Sequence, residues 1–323
     1  MKRKSSLAAF MIFLPILCWS TPALAQGLNS RTATAFSYLN RGEAWYAKGE
    51  WDRAIADYNL AIVSDPTIAR IYQSRGEARC QKRDFEGALA DFDRAIQLDP
   101  NLVEAWADRG AIRYVTNDLI GAINDSTRAI ELNPRLAVAW NNRGLARMGR
   151  RDLAGALTDF NHSLRLDPKH AETYYNRGTV RYSMGDNDGA ITDHTLALKF
   201  KSDFALAYSG RGTALFAKGN LAGALVDFNR VIELTPSSAR GYFNRALVWR
   251  KTADWPRALA DFDRAISLDA NFVDAYAHRG LIRLRQGEEK MAQQDFTRCL
   301  ELRPDLLGNL SRLIYNLRHE YRL

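Results

Sequence analysis

The sequence predicts an all-α solenoid of eight helix-turn-helix units, each 34 residues long, with a further helix after the last unit. Three observations predict this fold. An Arg recurs every 34 residues, an aromatic residue always precedes it by three positions, and an Ala and an Asp follow it after 13 and 16 positions. A fixed period of this length indicates structural repeats that stack on one another.

The repeats are described here with positions numbered 1 to 34, which places the recurring Arg at position 7. Position 8 is Gly in every repeat except the seventh, which has Ala246. Position 23 is always Asp, and position 32 is Pro in six repeats. The eight repeats are 35–68, 69–102, 103–136, 137–170, 171–204, 205–238, 239–272 and 273–306.

Residues 1–25 have the pattern of a secretory signal peptide, with basic residues at 2–4, a short apolar run at 7–19 and a small-x-small cleavage motif at 23–25. We expect the mature chain to begin at Gln26 and to be exported by the Sec route, so that it is periplasmic or secreted. The apolar run is short for a membrane span, and we expect no stable span in the mature chain. An uncleaved membrane anchor remains the alternative.

The segments that flank the repeats are short. Residues 26–34 form a polar lead-in, and residues 307–323 are expected to form a helix that caps the eighth repeat. A cap is needed because the end of a stacked array exposes an apolar face. Apolar residues recur there at helical spacing, at Leu306, Leu310, Leu313, Ile314 and Leu317. The expected polar outer side consists of Arg312, Arg318, His319, Glu320 and Arg322.

Each repeat is expected to contain two antiparallel helices, helix A over about positions 2–14 and helix B over about positions 17–30. Small residues at positions 8 and 20 allow the two helices to approach closely. Asp84 suits the N-cap of a helix B, and Asp99-Pro100 is expected to end it. Gly at position 19 of five repeats has no explanation in the sequence beyond close packing.

This pattern of an aromatic residue at positions 4 and 24, Gly at 8, Ala at 20 and 27 and Pro at 32 resembles the tetratricopeptide repeat. The resemblance covers 272 of 323 residues. It implies a right-handed superhelical solenoid and a non-enzymatic scaffold that binds a protein or peptide segment in a concave groove. The chain departs from the family at position 7, which is usually Leu and here is always Arg.

The arginines at position 7 lie on helix A, and the aspartates at position 23 lie on helix B. We expect them to form an ion network that fixes the helix register, and five of the aspartates also have an Arg three residues later as a second expected partner. The alternative is an arginine ladder that binds an anionic polymer. The arginines are Arg41, Arg75, Arg109, Arg143, Arg177, Arg211, Arg245 and Arg279, and the aspartates are Asp57, Asp91, Asp125, Asp159, Asp193, Asp227, Asp261 and Asp295.

The resemblance places the groove mainly at positions 2, 5, 9 and 12 of helix A. Here these positions carry a largely apolar and aromatic stripe, and exposed stripes of this kind mark interaction sites. The alternative is that neighbouring repeats bury them. The residues expected to contact a partner are Tyr46, Tyr114, Met148, Tyr175, Tyr182, Phe216, Phe243 and Arg250.

The fifth repeat is the irregular one. It has Asn187 at position 17, His194 in place of the aromatic residue at position 24, and Ser202 in place of Pro. The irregularity is explained either by neutral drift in a tolerant array or by a softer joint in the middle of the repeats.

Composition and residue chemistry exclude several other functions. The net charge of +8 falls to +5 without residues 1–25, and the remaining charges are interleaved, which disfavours nucleic-acid binding. Cys80 and Cys299 lie six repeats apart, so no disulfide is expected. None of the five His residues has the ligand spacing of a zinc site. With no catalytic, phosphate-binding or dinucleotide motif either, we expect no enzyme activity, metal or cofactor.

Together these observations predict an exported scaffold of the cell envelope that binds a protein or peptide partner in its groove. The alternative is a structural or assembly component of the envelope or of the export machinery, which would act through its outer surface or its ends. Repeats of this kind specify a scaffold rather than a ligand, so the sequence does not identify the partner.

Overall fold

The computed structural model describes residues 30–321. The predicted signal peptide and the first residues of the lead-in lie outside the described residues, as does Arg322 in the C-terminal tail. The described chain divides into two compact units, residues 30–168 and residues 169–321. Both units consist of helices joined by short turns, so the all-α fold is confirmed for the described residues.

The first unit contains repeats 1 to 4. Each repeat is a helix A followed by a helix B, and each helix packs on its neighbours in the chain. The first helix begins five residues before the predicted start of repeat 1. The helices are α1 (Ser30–Ala47), α2 (Trp51–Ser64), α3 (Ala69–Gln81), α4 (Phe85–Leu98), α5 (Val103–Val115), α6 (Leu119–Leu132), α7 (Ala137–Gly149) and α8 (Leu153–Leu166).

The second unit contains repeats 5 to 8 and the terminal helix. A 3₁₀ turn over Pro304–Leu306 leads into that helix. The helices are α9 (Ala171–Ser183), α10 (Asn187–Phe200), α11 (Ala205–Ala217), α12 (Leu221–Leu234), α13 (Ala239–Lys251), α14 (Trp255–Leu268), α15 (Val273–Arg285), α16 (Glu289–Leu302) and α17 (Leu307–Tyr321).

The turn between helix A and helix B has the same form throughout. Position 15 adopts a positive φ in all eight repeats, and it is Gly in four of them. The other four positions hold Arg83, Asn117, Arg151 and Ala253 at φ of 58° to 67°. In six repeats the side chain of the next residue caps helix B: the carboxylate of Asp84 accepts a hydrogen bond from the N–H of Gly87 at 3.0 Å, as expected for an N-cap.

The core of each repeat is built around position 8 of helix A and position 24 of helix B. A Cβ added at Gly144 would lie 2.7 Å from Cε1 of Phe160, so the glycine is needed for the aromatic ring to lie against the helix backbone. Phe160 and the alanine at position 20, Ala156, are fully buried. The pattern of small and aromatic residues in the sequence therefore corresponds to a close helix-helix contact.

The terminal helix α17 covers part of the eighth repeat. Leu310 is buried in a cluster with Leu284 and Phe296, and Ile314 packs at its edge. Leu313, expected on the same apolar side, is exposed. Arg312 and His319 are exposed, as expected for the outer side. The side chains at Leu317, Arg318 and Glu320 lie outside the described part of the structure.

Cys80 and Cys299 are both buried free thiols. Within residues 30–321, no helix has the length and apolar character needed to cross a membrane. In the same part of the chain, no three His, Cys, Asp or Glu residues come together as metal ligands would.

Candidate functional site

The aspartate at position 23 is the centre of a buried ion network in every repeat. In repeat 4, Arg143 donates from Nε and Nη2 to the two oxygens of Asp159, at 3.0 and 2.8 Å. Asp159 is fully buried. The corresponding Nη2–Oδ1 distance is 2.5 to 2.8 Å in all eight repeats. The structure thus places each predicted arginine in a bidentate pair with the predicted aspartate.

A second arginine, at position 11, contacts the same carboxylate in five repeats. In repeat 4, Nη1 of Arg147 lies 2.8 Å from Oδ2 of Asp159. Two guanidinium groups on one face of helix A therefore share one buried carboxylate, which offsets their mutual repulsion. The other arginines of this kind are Arg79, Arg113, Arg181 and Arg283.

Position 7 also connects successive repeats. Nη1 of Arg109 lies 2.6 Å from Asp93, and Nη1 of Arg279 lies 2.6 Å from Asp263, in each case at position 25 of the preceding repeat. This contact was missed in the sequence, although a signal was present. Position 25 is Asn, Asp or Thr in all eight repeats.

The expected pairing between the aspartate and an arginine three residues later is wrong for all five repeats. Arg94 donates instead to Gln97 at 3.4 Å, and Arg264 lies over the ring of Tyr242. Arg128 donates instead to Glu131 at 3.1 Å. Arg230 and Arg298 likewise donate to a glutamate three residues further along helix B. The physical reason is that arginines from helix A already occupy both oxygens of the buried aspartate.

The structure also explains the glycine at position 19. A Cβ at Gly121 would overlap Oδ2 of the N-cap residue Asp118, and it would lie 2.8 Å from Cδ of Arg113, whose side chain passes on to the aspartate. At Gly87, Gly155 and Gly223 the nearest atoms all belong to the N-cap side chain. Repeats 1 and 7 have Trp at position 11 and Arg at position 19 instead. There the guanidinium carbon lies over the indole ring, at 4.5 Å in the pair of Arg257 and Trp249.

We define the helix-A face as the surface formed by positions 2, 5, 6, 9 and 12 of the helices A. In the first unit, Tyr46, Tyr114 and Met148 are half-buried on this face. Val138, at position 2, is 43% exposed, whereas Cys80, at position 12, is only 7% exposed. Apart from Cys80, these side chains therefore contribute to an apolar surface that solvent reaches.

In the second unit, Tyr182 is 39% exposed, and Tyr175 and Phe216 are half-buried on the helix-A face. Arg250 is exposed. The expectation that Phe243 contacts a partner is wrong, because this ring is only 5% exposed.

Phe243 belongs instead to the core between successive repeats. Its ring centroid lies 5.7 Å from that of Phe262 and 4.7 Å from that of Phe272. Both of these rings belong to repeat 7, and the ring centroid of His278, at position 6 of repeat 8, lies 5.7 Å from that of Phe243.

In repeats 2 and 3 the helix-A face carries crowded acidic groups. Gln73 donates to Oδ2 of Asp108 at 2.8 Å, and Arg70 pairs with Glu43 at 3.0 Å. Burial raises the pKa of Glu77 to about 7, with a further contribution from Glu43. Burial and the nearby Glu77 raise the pKa of Asp108 well above its usual range. We call Glu43, Glu77, Glu104 and Asp108 the acidic cluster.

In repeats 5 and 6 the same face carries a cavity of about 170 Å³. Its walls come from the helices A, α9 and α11, and His194 of helix α10 also lines it. Unlike the acidic cluster, this cavity has no acidic or basic side chain among its lining residues other than the imidazole.

Family models described as tetratricopeptide repeat match residues 69–102, 141–205 and 273–306, and one described as TPR repeat matches residues 212–252. Together they cover more than half of the chain, and two of them coincide with repeats 2 and 8. A comparison with curated protein sequences finds no match.

Several solved structures share the fold. A chain of the APC/C hetero-tetramer Cut9–Hcn1 aligns with a TM-score of 0.66 at 14% identity, over 90% of this chain and 57% of that chain. The pilF protein of Pseudomonas aeruginosa aligns with a TM-score of 0.60 at 17% identity, over 66% of this chain and 97% of that one.

A tetratricopeptide repeat protein from Parabacteroides merdae aligns with a TM-score of 0.58 at 17% identity, over 81% of this chain and 99% of that one. At these identities the likeness concerns the fold alone. The family matches, the stacked helix pairs and the small and aromatic residues at positions 8, 20 and 24 agree with one another, and the chain belongs to the tetratricopeptide repeat family.

Proposed function

We propose that this protein is a non-enzymatic scaffold of the cell envelope that binds a protein or peptide segment on its helix-A face. Residues 1–25 would direct its export, and the mature chain would be periplasmic or secreted. Proteins of this family generally mediate protein–protein interaction, which supports the coarser part of the proposal.

The proposal rests on apolar side chains that are exposed at equivalent positions of different repeats. Val138 and Leu206, both at position 2, are each 43% exposed, and Tyr182 at position 12 is 39% exposed. Contacts within the repeats do not cover these side chains. Exposed apolar side chains on one face are a common feature of binding sites for other proteins.

The arginines at position 7 support a structural role for the ion network rather than an anion-binding ladder. Their side chains are mostly buried in repeats 2 to 8, for instance 11% exposed at Arg109. Their donors already contact a buried aspartate and, in several repeats, the preceding repeat. An anionic polymer would have to compete with these bonds.

The partner is tested by affinity capture from the envelope fraction with the mature chain as bait. Joint substitution of Tyr114, Tyr182 and Phe216 by Ser should abolish capture of the specific partner. The matched control replaces Val63 and Val226, which are 82% and 67% exposed on helices B, by Ser and should retain it. Capture that survives the first set of substitutions and is lost with the second would contradict binding on the helix-A face.

A second candidate function is assembly through the outer surface or the C-terminal end. It is favoured by the exposure of Val63 and Val226 and by the exposed Leu307 and Tyr315 on α17. These side chains occupy unrelated repeat positions, whereas the helix-A residues recur at positions 2 and 12. We therefore place this candidate second, and the control substitutions above test it directly.

Export is tested separately, by cell fractionation and N-terminal sequencing of the chain expressed in full. A mature N-terminus at Gln26 in the soluble envelope fraction supports the proposal. A chain that keeps residue 1 and sediments with membranes would instead indicate an uncleaved anchor.

A further inference from the structure

A cavity opens on the helix-A face between α9 and α11, entirely within residues 169–321. Its volume is about 170 Å³. Tyr175 and Tyr182 of α9 and Leu206 and Thr213 of α11 form its walls, and His194 of α10 forms its floor. Leu206 and Tyr182 are exposed, so the cavity has a rim that solvent reaches.

Two departures from the repeat pattern occur together at this cavity. His194 stands at position 24, where six repeats have an aromatic ring, and Gly210 stands at position 6 of the following repeat. A Cβ at Gly210 would lie 2.6 Å from Nε2 of His194. Position 6 carries a side chain in the other seven repeats, such as Asn244, and His278 at this position stacks on Phe262 with ring centroids 5.9 Å apart. Gly210 therefore places no side chain between the buried imidazole and the cavity.

The floor of the cavity is a buried polar group without a full set of partners. His194 is 1% exposed, and its Nδ1 has no hydrogen-bond partner. Burial, with a smaller contribution from Arg211, lowers the pKa of His194 to about 4, so the imidazole is neutral at physiological pH. Buried polar atoms are nearly always paired in folded proteins, so the unpaired nitrogen of His194 needs an explanation.

The cavity walls include aromatic rings and threonine hydroxyl groups that already donate a hydrogen bond. The hydroxyl groups of Thr179 and Thr213 donate to the carbonyls of Tyr175 and Ser209 in their own helices, at 3.0 and 2.8 Å. The ring centroid of Tyr175 lies 5.6 Å from that of His194. A charged side chain would lose its hydration in this cavity without meeting a counter-charge.

We propose that this cavity accepts the uncharged aromatic side chain of a Tyr or Phe in the bound partner segment, with His194 beneath the ring and Tyr175 and Tyr182 beside it. This inference rests on the proposed function, since it names one anchor of the same partner. A ring fits the space, because an engineered apolar cavity of about 150 Å³ binds benzene. The surrounding rings favour an aromatic guest through edge-to-face contacts.

The test uses single-residue probes and the methyl NMR signals of Leu206, Thr179 and Thr213. N-acetyl-tyrosinamide and N-acetyl-phenylalaninamide at millimolar concentration should shift these three signals. N-acetyl-leucinamide should bind about fivefold more weakly, because it lacks the ring contacts. N-acetyl-lysinamide should produce no shift.

Two variants make the test specific. His194→Phe combined with Gly210→Asn introduces the residues that stand at the equivalent positions of repeats 6 and 7, Phe228 and Asn244. This double variant should fold with an unchanged or higher melting temperature and should no longer bind the aromatic probes. Tyr182→Ala removes only one side chain of the cavity rim and should weaken the binding of both aromatic probes several-fold. Leucine and tyrosine probes that bind equally, or a double variant that binds like the wild type, would overturn the inference.

The captured partner separates this inference from the proposed function. If the partner is lost with Tyr114→Ser yet binds the double variant as tightly as the wild type, the helix-A face is the binding surface and the aromatic anchor is wrong. If the partner is retained by all of these variants, binding on the helix-A face is itself wrong.

Discussion

Repeats 2 and 3 and repeats 5 and 6 use the same two positions of helix A for opposite chemistry. Position 9 of one repeat and position 6 of the next hold Glu77 and Asp108 in the first region, where the carboxyl groups crowd each other and their pKa values are raised. The same positions hold Thr179 and Gly210 in the second region, beside an uncharged cavity.

The ion network beneath these two regions does not differ. Arg75 and Asp91 in repeat 2 form the same bidentate pair as Arg177 and Asp193 in repeat 5. The comparison therefore shows that the positions which hold the helices together and the positions which give the surface its chemistry are separate. Substitutions at the two sets of positions should have different consequences.

The largest expected effect comes from the shared network. Asp159→Ala removes a buried carboxylate that two arginines contact, and it leaves Arg143, whose side chain is 12% exposed, without an acidic partner. We expect a loss of about 3–5 kcal/mol in the free energy of unfolding. Chemical denaturation of the mature chain measures it.

The matched control is Asp52→Ala, because Asp52 pairs with Lys82 while its side chain is 82% exposed. An exposed pair contributes little to stability, so this variant should unfold close to the wild type. Equal losses for the two variants would show that the buried network does not hold the repeats together.

The acidic cluster should give stability a pH dependence opposite in sign to that of the cavity region, where the lowered pKa of His194 costs stability as the pH falls from 6.5 to about 4. The folded state raises the pKa of Glu77 from 4.5 to about 7, so it binds a proton more tightly than the unfolded state does. This contribution is fully present below pH 4.5 and is lost as the pH rises to about 7. Glu77→Gln should remove this loss of stability, so its free energy of unfolding at pH 7.5 should change by about 1–3 kcal/mol in the stabilising direction.

The measurement is the free energy of unfolding of the wild type and of Glu77→Gln at several pH values between 4 and 8. Glu131→Gln, an exposed acid in the same unit, serves as the control and should follow the wild type. Parallel pH profiles for the wild type and Glu77→Gln would mean that Glu77 is not desolvated in the fold.

A smaller effect is expected from the floor of the cavity. His194→Phe removes an unpaired buried nitrogen and restores the ring found at Phe160 and Phe228. We expect stabilisation by about 1 kcal/mol, measured as a higher denaturation midpoint with an unchanged slope. The reverse change, Phe228→His, places an imidazole beside Asn244 and should destabilise the chain. A loss of stability in His194→Phe would contradict the view that His194 is retained for binding rather than for packing.

The smallest expected effect is local. Because the cavity lies beside α10, amide hydrogens over 190–198 should exchange faster than those over 156–164 in α8, by up to about tenfold. Hydrogen exchange followed by mass spectrometry measures this difference. Equal protection in the two helices would remove the softer-joint explanation for the irregular fifth repeat and leave neutral drift or binding.

Much of the fold was predictable because the repeat positions carry strong local signals. The N-cap at Asp84 and the aspartate partner of Arg143 follow directly from residue type and spacing. The burial of a side chain does not follow from residue type and spacing in this way. Phe243 and Tyr175 share position 5, yet Phe243 is buried between Phe262 and Phe272 while Tyr175 lines a cavity. The two sites differ at position 6 of the next repeat, which is His278 beside Phe243 and Gly210 at the cavity that Tyr175 lines.

The sequence indicated only one of the two unusual residues at the cavity. His194 was evident as an exception at position 24, but its functional meaning depends on Gly210, which lies 16 residues further along the chain. The link between the two becomes clear only when the structure places them in van der Waals contact. The contact from position 7 to position 25 was missed for the same reason, since it joins residues of different repeats.

The central claim, that the partner lies on the helix-A face, is tested most directly by site-specific photo-crosslinking in the envelope. A photo-crosslinking residue is placed in turn at Tyr114, Tyr182, Val63 and Val226, and partner adducts are quantified after irradiation. The account predicts adducts from Tyr114 and Tyr182 and none above background from Val63 and Val226. Adducts from the two valine positions alone would contradict it.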